Sequence, residues 1–161
     1  MYDASSVTSA GRAAKRIGVA ALAVKGTANT AVTLTGYGAG VEVFGEDGAD
    51  TPGMSTLLKL LFANGASTVY AVRVGAGGGL EAYQAAFAAL ANCDVQVVVC
   101  DSSELTIQKA LKTAVETASA ARGERIGVIG GSGDTAAQLV TRAEAINSER
   151  MVLVGPDMKD E

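Results

Sequence analysis

VQVVVCDSSELTIQKALKTAVETASAARGERIGVI, residues 95–129, carries two different hydrophobic rhythms in one uninterrupted run. Val95 to Cys100 and Arg125 to Ile129 are short runs dominated by Val and Ile, the composition of strands buried on both faces. Between them, Glu104 to Ala121 places Ile107, Leu111, Ala114, Val115 and Ala118 along one side at helical spacing. A strand, a helix of this length and a second strand pack back on one another as a parallel pair joined by a right-handed crossover.

The same alternation extends in both directions. Thr68 to Val74 (TVYAVRV) and Met151 to Val154 (MVLV) read as strands, and Leu80 to Ala91 and Thr135 to Asn147 as helices. The order βαβαβαβ predicts an α/β fold: a mostly parallel sheet of about five strands with helices on both faces. Val97 and Val99 are expected on a central strand of it, covered from both sides. Ile17 to Lys25 reads as a further buried strand, and AVTLT at 31–35 and VEVF at 41–44 as short strands between glycine turns in the N-terminal segment. Met54 to Ala63 should be a helix with Thr51-Pro52 at its start and Asn64-Gly65 at its end. Asp101 or Ser103 is expected to cap the long helix and Asp134 the next. Met1 to Lys15 is small, polar and weakly patterned, an arm or loosely ordered terminus preceding one domain over 16–161.

Composition removes whole classes of function. A chain of 161 residues, 48% hydrophobic and 19% charged, is the size of one folded domain, and a net charge of −4 disfavours nucleic acid as a partner. No apolar run is long enough for a membrane span, so no membrane insertion is expected; with no cleavage-type leader pattern the chain reads as cytosolic. Cys93 and Cys100 have neither metal-site nor disulfide spacing and read as small apolar fillers, leaving no metal site. The absence of histidine eliminates Ser-His-Asp and Cys-His catalysis, and no GxxxxGK[ST] is present. No catalytic residue can be assigned.

One stretch invites a binding reading. Gly131-Ser-Gly133-Asp-Thr-Ala136 satisfies GxGxxA after a strand and before a helix, with Asp157 beyond the next strand where a ribose carboxylate would sit. A small nucleotide-binding domain using Gly131, Gly133 and Asp157 is therefore the alternative. Against it, the motif comes late in the chain, Asp157 is further off than the usual spacing of about 20 residues, and Asp134 repels a pyrophosphate. The favoured reading makes Gly130 to Asp134 a tight turn, with no cofactor. GAGGG at 75–79 reads as a flexible connection, and Cys100-Asp-Ser-Ser as core and cap.

Three segments together resemble the contractile tail sheath proteins of phages and phage-like injection particles. They are VFGEDG at 43–48, LLKLLFANGASTVYAVRV at 57–74 and AINSERMVLVGP at 145–156. In that family an FG element precedes a helix ending in FFANGG and a strand ending in YVVRV. The resemblance implies a structural subunit with a subtilisin-like core lacking catalytic residues. Such subunits stack in hexameric rings around a tail tube protein and drive it forward by repacking against neighbouring sheath subunits. It also implies assembly in a bacterial host cytoplasm and residence in a virion tail or particle. Many relatives carry an inserted domain where GAGGG stands here, and continue beyond the position of Glu161 with an extended arm. Without that arm the isolated chain is expected to be a monomer or weak oligomer.

Overall fold

The computed structural model describes residues 15–48 and 53–155. Met1 to Ala14, the pair Thr51-Pro52 and Asp157 lie outside the described residues. In chain order the elements are β1 (Arg16–Ala21), β2 (Ala31–Leu34), α1 (Tyr37–Phe44), α2 (Met54–Ala63), β3 (Thr68–Arg73), α3 (Leu80–Leu90), β4 (Val97–Cys100), α4 (Leu105–Ala120), β5 (Ile126–Gly130), α5 (Ala136–Ile146) and β6 (Met151–Val154). They build a 6-stranded sheet in the order β2-β3-β1-β4-β5-β6. All neighbours run parallel except β2, which lies antiparallel on β3 at one edge. The expected mostly parallel α/β sheet is thus present, with α2 and β6 on their expected bounds.

VEVF is not a strand: Val41 to Phe44 form the second half of α1. Its alternation is overridden by a helical spacing in which Gly40 and Phe44 are buried and Tyr37 packs on the same cluster. Gly40 is needed there, because a Cβ would lie 2.6 Å from Leu58 Cδ1 of α2. Gly45, at φ 78°, then ends the helix in a conformation that favours glycine.

Helix α2 starts at Gly53, which offers no capping side chain, and Asp47 supplies the cap from across the loop. Its Oδ2 accepts from the amides of Gly53 and Thr56, both at 2.8 Å, while the Asp47 amide donates to Ser55 Oγ at 2.9 Å. Burial raises the Asp47 pKa, but these hydrogen bonds outweigh it and hold the carboxyl below its usual range. A lowered folded pKa contributes stability above the unfolded value and loses it as pH falls through the folded one. Asp47→Ala is therefore expected to cost about 1 kcal/mol at pH 7. In acid the difference from the parent shrinks, as urea titrations at two pH values would show.

Two apolar layers flank the sheet. On one face Ala20, Val72, Val98 and Ile129 meet α3, α4 and Ile146 of α5. On the other, Val19, Val69 and Ala71 meet Phe44 of α1 and Met54 and Leu58 of α2. Helices stand on both faces, but the second layer lies over β1, β2 and β3. The expectation for Val97 is corrected accordingly: it points to the side away from α3 and α4 and is half-buried, whereas the enclosed residue of β4 is Val98, 3% exposed. Val99, also half-buried, packs only at the margin of the second layer.

Candidate functional site

In an open parallel sheet the crevice for a ligand forms where successive connections leave in opposite directions. Here the chain leaving β1 returns to β3 on one side, while that leaving β4 goes to β5 on the other. Between them opens a cleft of about 250 Å³, lined by Gly53, Thr56 and Leu57 of α2 and by Cys100 to Ser103 and Gly130–Gly131 of the strand ends. This is below the roughly 300–1,000 Å³ of ordinary ligand sites.

The titratable groups at the cleft are committed to holding the fold. Asp101 Oδ2 accepts from the Leu22 amide at 2.9 Å and Oδ1 from the Tyr83 hydroxyl at 2.5 Å, joining the ends of β1 and β4 to α3. Burial raises the Asp101 carboxyl against the lowering effect of these two donors. Tyr83 is pushed up, first by burial and then by Asp101, so it stays a phenol. Burial also pushes the Cys100 thiol up to about 11, which leaves it protonated and a poor nucleophile at neutral pH. Asp101 does not cap α4 as expected, because Leu22 and Tyr83 occupy both its oxygens. Nor does Ser103: α4 opens at Glu104 with no side-chain cap, and Ser102 Oγ accepts only from the Glu104 amide ahead of the helix, at 3.2 Å. Among the described residues no cluster of metal-ligating side chains occurs.

The glycine loop is closed on itself. Gly131 lies against Asp134, where a Cβ would come 2.6 Å from Asp134 Oδ2, and Gly133 sits at φ +63°. Asp134 turns inward to Arg142 of α5, which donates from Nε at 2.8 Å, both side chains being 14% exposed. Arg142 Nη1 also donates to the Ser103 carbonyl at 2.8 Å and to Gln108 Oε1 at 3.1 Å. Gln108, fully buried, donates in turn to the Gly130 carbonyl at 2.8 Å. Asp134 is therefore not the cap of α5. That role belongs to Thr135, in a capping box with Gln138 whose reciprocal distances are 2.8 and 3.4 Å. The T-x-x-Q spacing at 135–138 carries that signal in the sequence. Arg142, eight positions past Asp134, has no such local signature.

A phosphate at this loop would meet the inward Asp134 carboxylate and a helix start whose cap is already made. Calorimetric titration with NAD, ATP and FAD is expected to give no heat of binding. Micromolar affinity lost in Gly133→Val would reinstate the nucleotide reading. Gly131 and Gly133 sit together in the loop, and Asp157 lies outside the described residues.

The fold and site define an open, doubly wound parallel α/β domain whose switch-point cleft is shallow and held by structural hydrogen bonds. Its fold is contractile-sheath-like. The chain is similar to the helical sheath of the anti-feeding prophage in its contracted state, with a TM-score of 0.62 at 14% identity, over 89% of this chain and 39% of that one. It is likewise similar to a chain of the anti-feeding prophage baseplate, with a TM-score of 0.57 at 14% identity, over 89% of this chain and 40% of that one. The chain thus spans about two fifths of the length of the solved chains it matches. No protein-family model and no curated protein matches the sequence.

Proposed function

We propose that the protein is the core domain of a contractile tail sheath subunit, a structural and non-enzymatic component of a phage tail or phage-like particle. The observation that carries this reading is the fold likeness to a contracted sheath across nearly the whole described chain. The cleft is consistent with it, since Asp101, Tyr83 and Cys100 are held by burial and hydrogen bonds rather than poised to react. The partners in this reading are neighbouring sheath subunits and the tail tube protein, and the location is the assembled particle after assembly in the host cytoplasm. Among the described residues no helix is long and apolar enough to cross a membrane.

Work in such a system comes from the lattice. An extended arrangement of higher free energy, held by a kinetic barrier, relaxes to a contracted one when released at the baseplate, with no nucleotide consumed. Electron microscopy of particles from cells carrying the gene tests the reading. A hollow striated cylinder containing this polypeptide is the expected result, and its presence only outside any tubular particle would overturn the assignment. Residues 1–161 by themselves are expected to scatter light as a monomer or weak oligomer at micromolar concentration.

A further inference from the structure

Strands β4, β5 and β6 display Val97, Val99, Ile126, Val128, Val152 and Val154 on one face, as their paired register dictates. This is the face that α1 and α2 cover over β1, β2 and β3. Ile126, Val152 and Val154 are 37%, 45% and 52% exposed, although their neighbours Ile129 and Val98 on the opposite face are enclosed. Parallel strands are Val- and Ile-rich on both sides because both sides are normally buried. A strip of β-branched residues is therefore left facing water.

We propose that this strip is the seat of one amphipathic helix, supplied by a part of a sheath subunit other than residues 1–161; the inference rests on the sheath reading. The dimensions select a helix. Three parallel strands set the rows about 10 Å apart from first to last, the width of one helix with its side chains, and strands of four to five residues give a seat of about 13–16 Å, or two to three turns. The wall on one side is α2, whose Thr56 and Leu57 line the cleft above Gly130. Gly130 continues the strip from Val128, and a Cβ built there meets nothing within 4 Å, so a helix backbone has room to approach.

Area decides against a second copy of this domain. A strip of these dimensions offers a few hundred Å² at most, short of the roughly 800 Å² per partner of a stable interface. A helix carried on the same polypeptide escapes that limit, because tethering replaces the association cost with a high effective concentration. The matched sheath chain has ample length for one, since the match takes only 39% of it. Such a helix would place apolar residues three and four apart against the valines, with a polar outer face.

The test is a photo-cross-linker, p-benzoylphenylalanine, in place of Val152 in the polypeptide as its gene encodes it. A second probe replaces Val140, which is exposed on α5 outside the strip. Both proteins are irradiated as purified subunits and again within purified particles. The expected result is a cross-link from position 152, absent from position 140, to a helical peptide of the same polypeptide outside residues 1–161. A probe at Ile126 should cross-link to the same peptide and should lose that cross-link when combined with Val152→Lys and Val154→Lys. A cross-link to residues 1–161 of a second copy, to another protein, or none at all would overturn the proposal. Failure to find the chain in any tubular particle would instead sink the sheath reading, while the soluble subunit still decides what covers the strip.

Discussion

Val98→Asp is expected to abolish cooperative folding. Val98 is paired across the sheet with Gly18 of β1 and Gly127 of β5, so it is the one side chain of that row between two glycines. The space above the glycines is filled: a Cβ on Gly18 would sit 3.4 Å from Leu90 of α3, and one on Gly127 would come 2.5 Å from Met151 Sδ of β6 and 3.5 Å from Leu111 of α4. An aspartate in that row is surrounded by the apolar cluster, and Arg125, which borders the same small cavity, already commits its donors to backbone carbonyls. Burying it unpaired costs several kcal/mol, a large part of a typical stability of about 5–15 kcal/mol. Val97→Asp, one position away on the half-open face, should be far milder. Lys112→Ala, which loses only a 3.9 Å pair with Glu116, should change stability by less than about 0.5 kcal/mol. Urea unfolding followed by circular dichroism ranks the three. A Val97 variant less stable than the Val98 one would mean the helices cover the opposite face, and equal midpoints that both faces are enclosed alike.

Arg125→Met is expected to cost about 2–4 kcal/mol, because a charged donor to several buried carbonyls is removed at once. Arg125 is 7% exposed. It donates from Nη1 to the Leu90 carbonyl at 3.0 Å, from Nη2 to those of Ala91 and Cys93 at 3.3 and 3.2 Å, and from Nε to that of Gly123 at 3.0 Å. Leu90 and Ala91 end α3, where free carbonyls concentrate negative charge and favour a cation. Methionine matches the length and removes the side-chain donor from the Ala91 and Gly123 carbonyls, while those of Leu90 and Cys93 keep only the amides of Cys93 and Val95. Arg125→Lys, with a single compact ammonium, should recover only part of the loss. Thermal unfolding of the three proteins measures this. A methionine variant as stable as the parent would mean water satisfies the end of α3 equally well.

Strands β3 to β6 and helices α3 to α5 were legible because their periods are unambiguous: continuous Val and Ile in one set, three-and-four spacing in the other. Helix α1 was not. Gly36, Gly38 and Gly40 weaken any helical signal, and the requirement for Gly40 lies on another helix, at Leu58. The caps failed for a similar reason. Asp101 and Asp134 have the chemistry for a local cap, but Tyr83 and Arg142, distant in sequence, claim them. At the candidate site the sequence exposes the glycine spacing and the missing histidine, while the inward turn of Asp134 depends on tertiary contact. The bare strip was hidden too, since a strand enclosed on both sides and one enclosed on a single side by its own domain have the same composition.

The Asp134, Arg142 and Gln108 contacts tie the loop after β4 to the loop after β5 through shared side chains. Separating those loops requires the contacts of Arg142 to Ser103 and Gln108 and that of Gln108 to the Gly130 carbonyl to break together, leaving buried polar groups without partners. Mechanically, such a rim is brittle rather than elastic. Under load it is expected to deform little until those contacts break, and then to give way all at once. A part that must transmit a sudden displacement without absorbing it in its own deformation gains from that behaviour, and any yielding is left to the joints between parts.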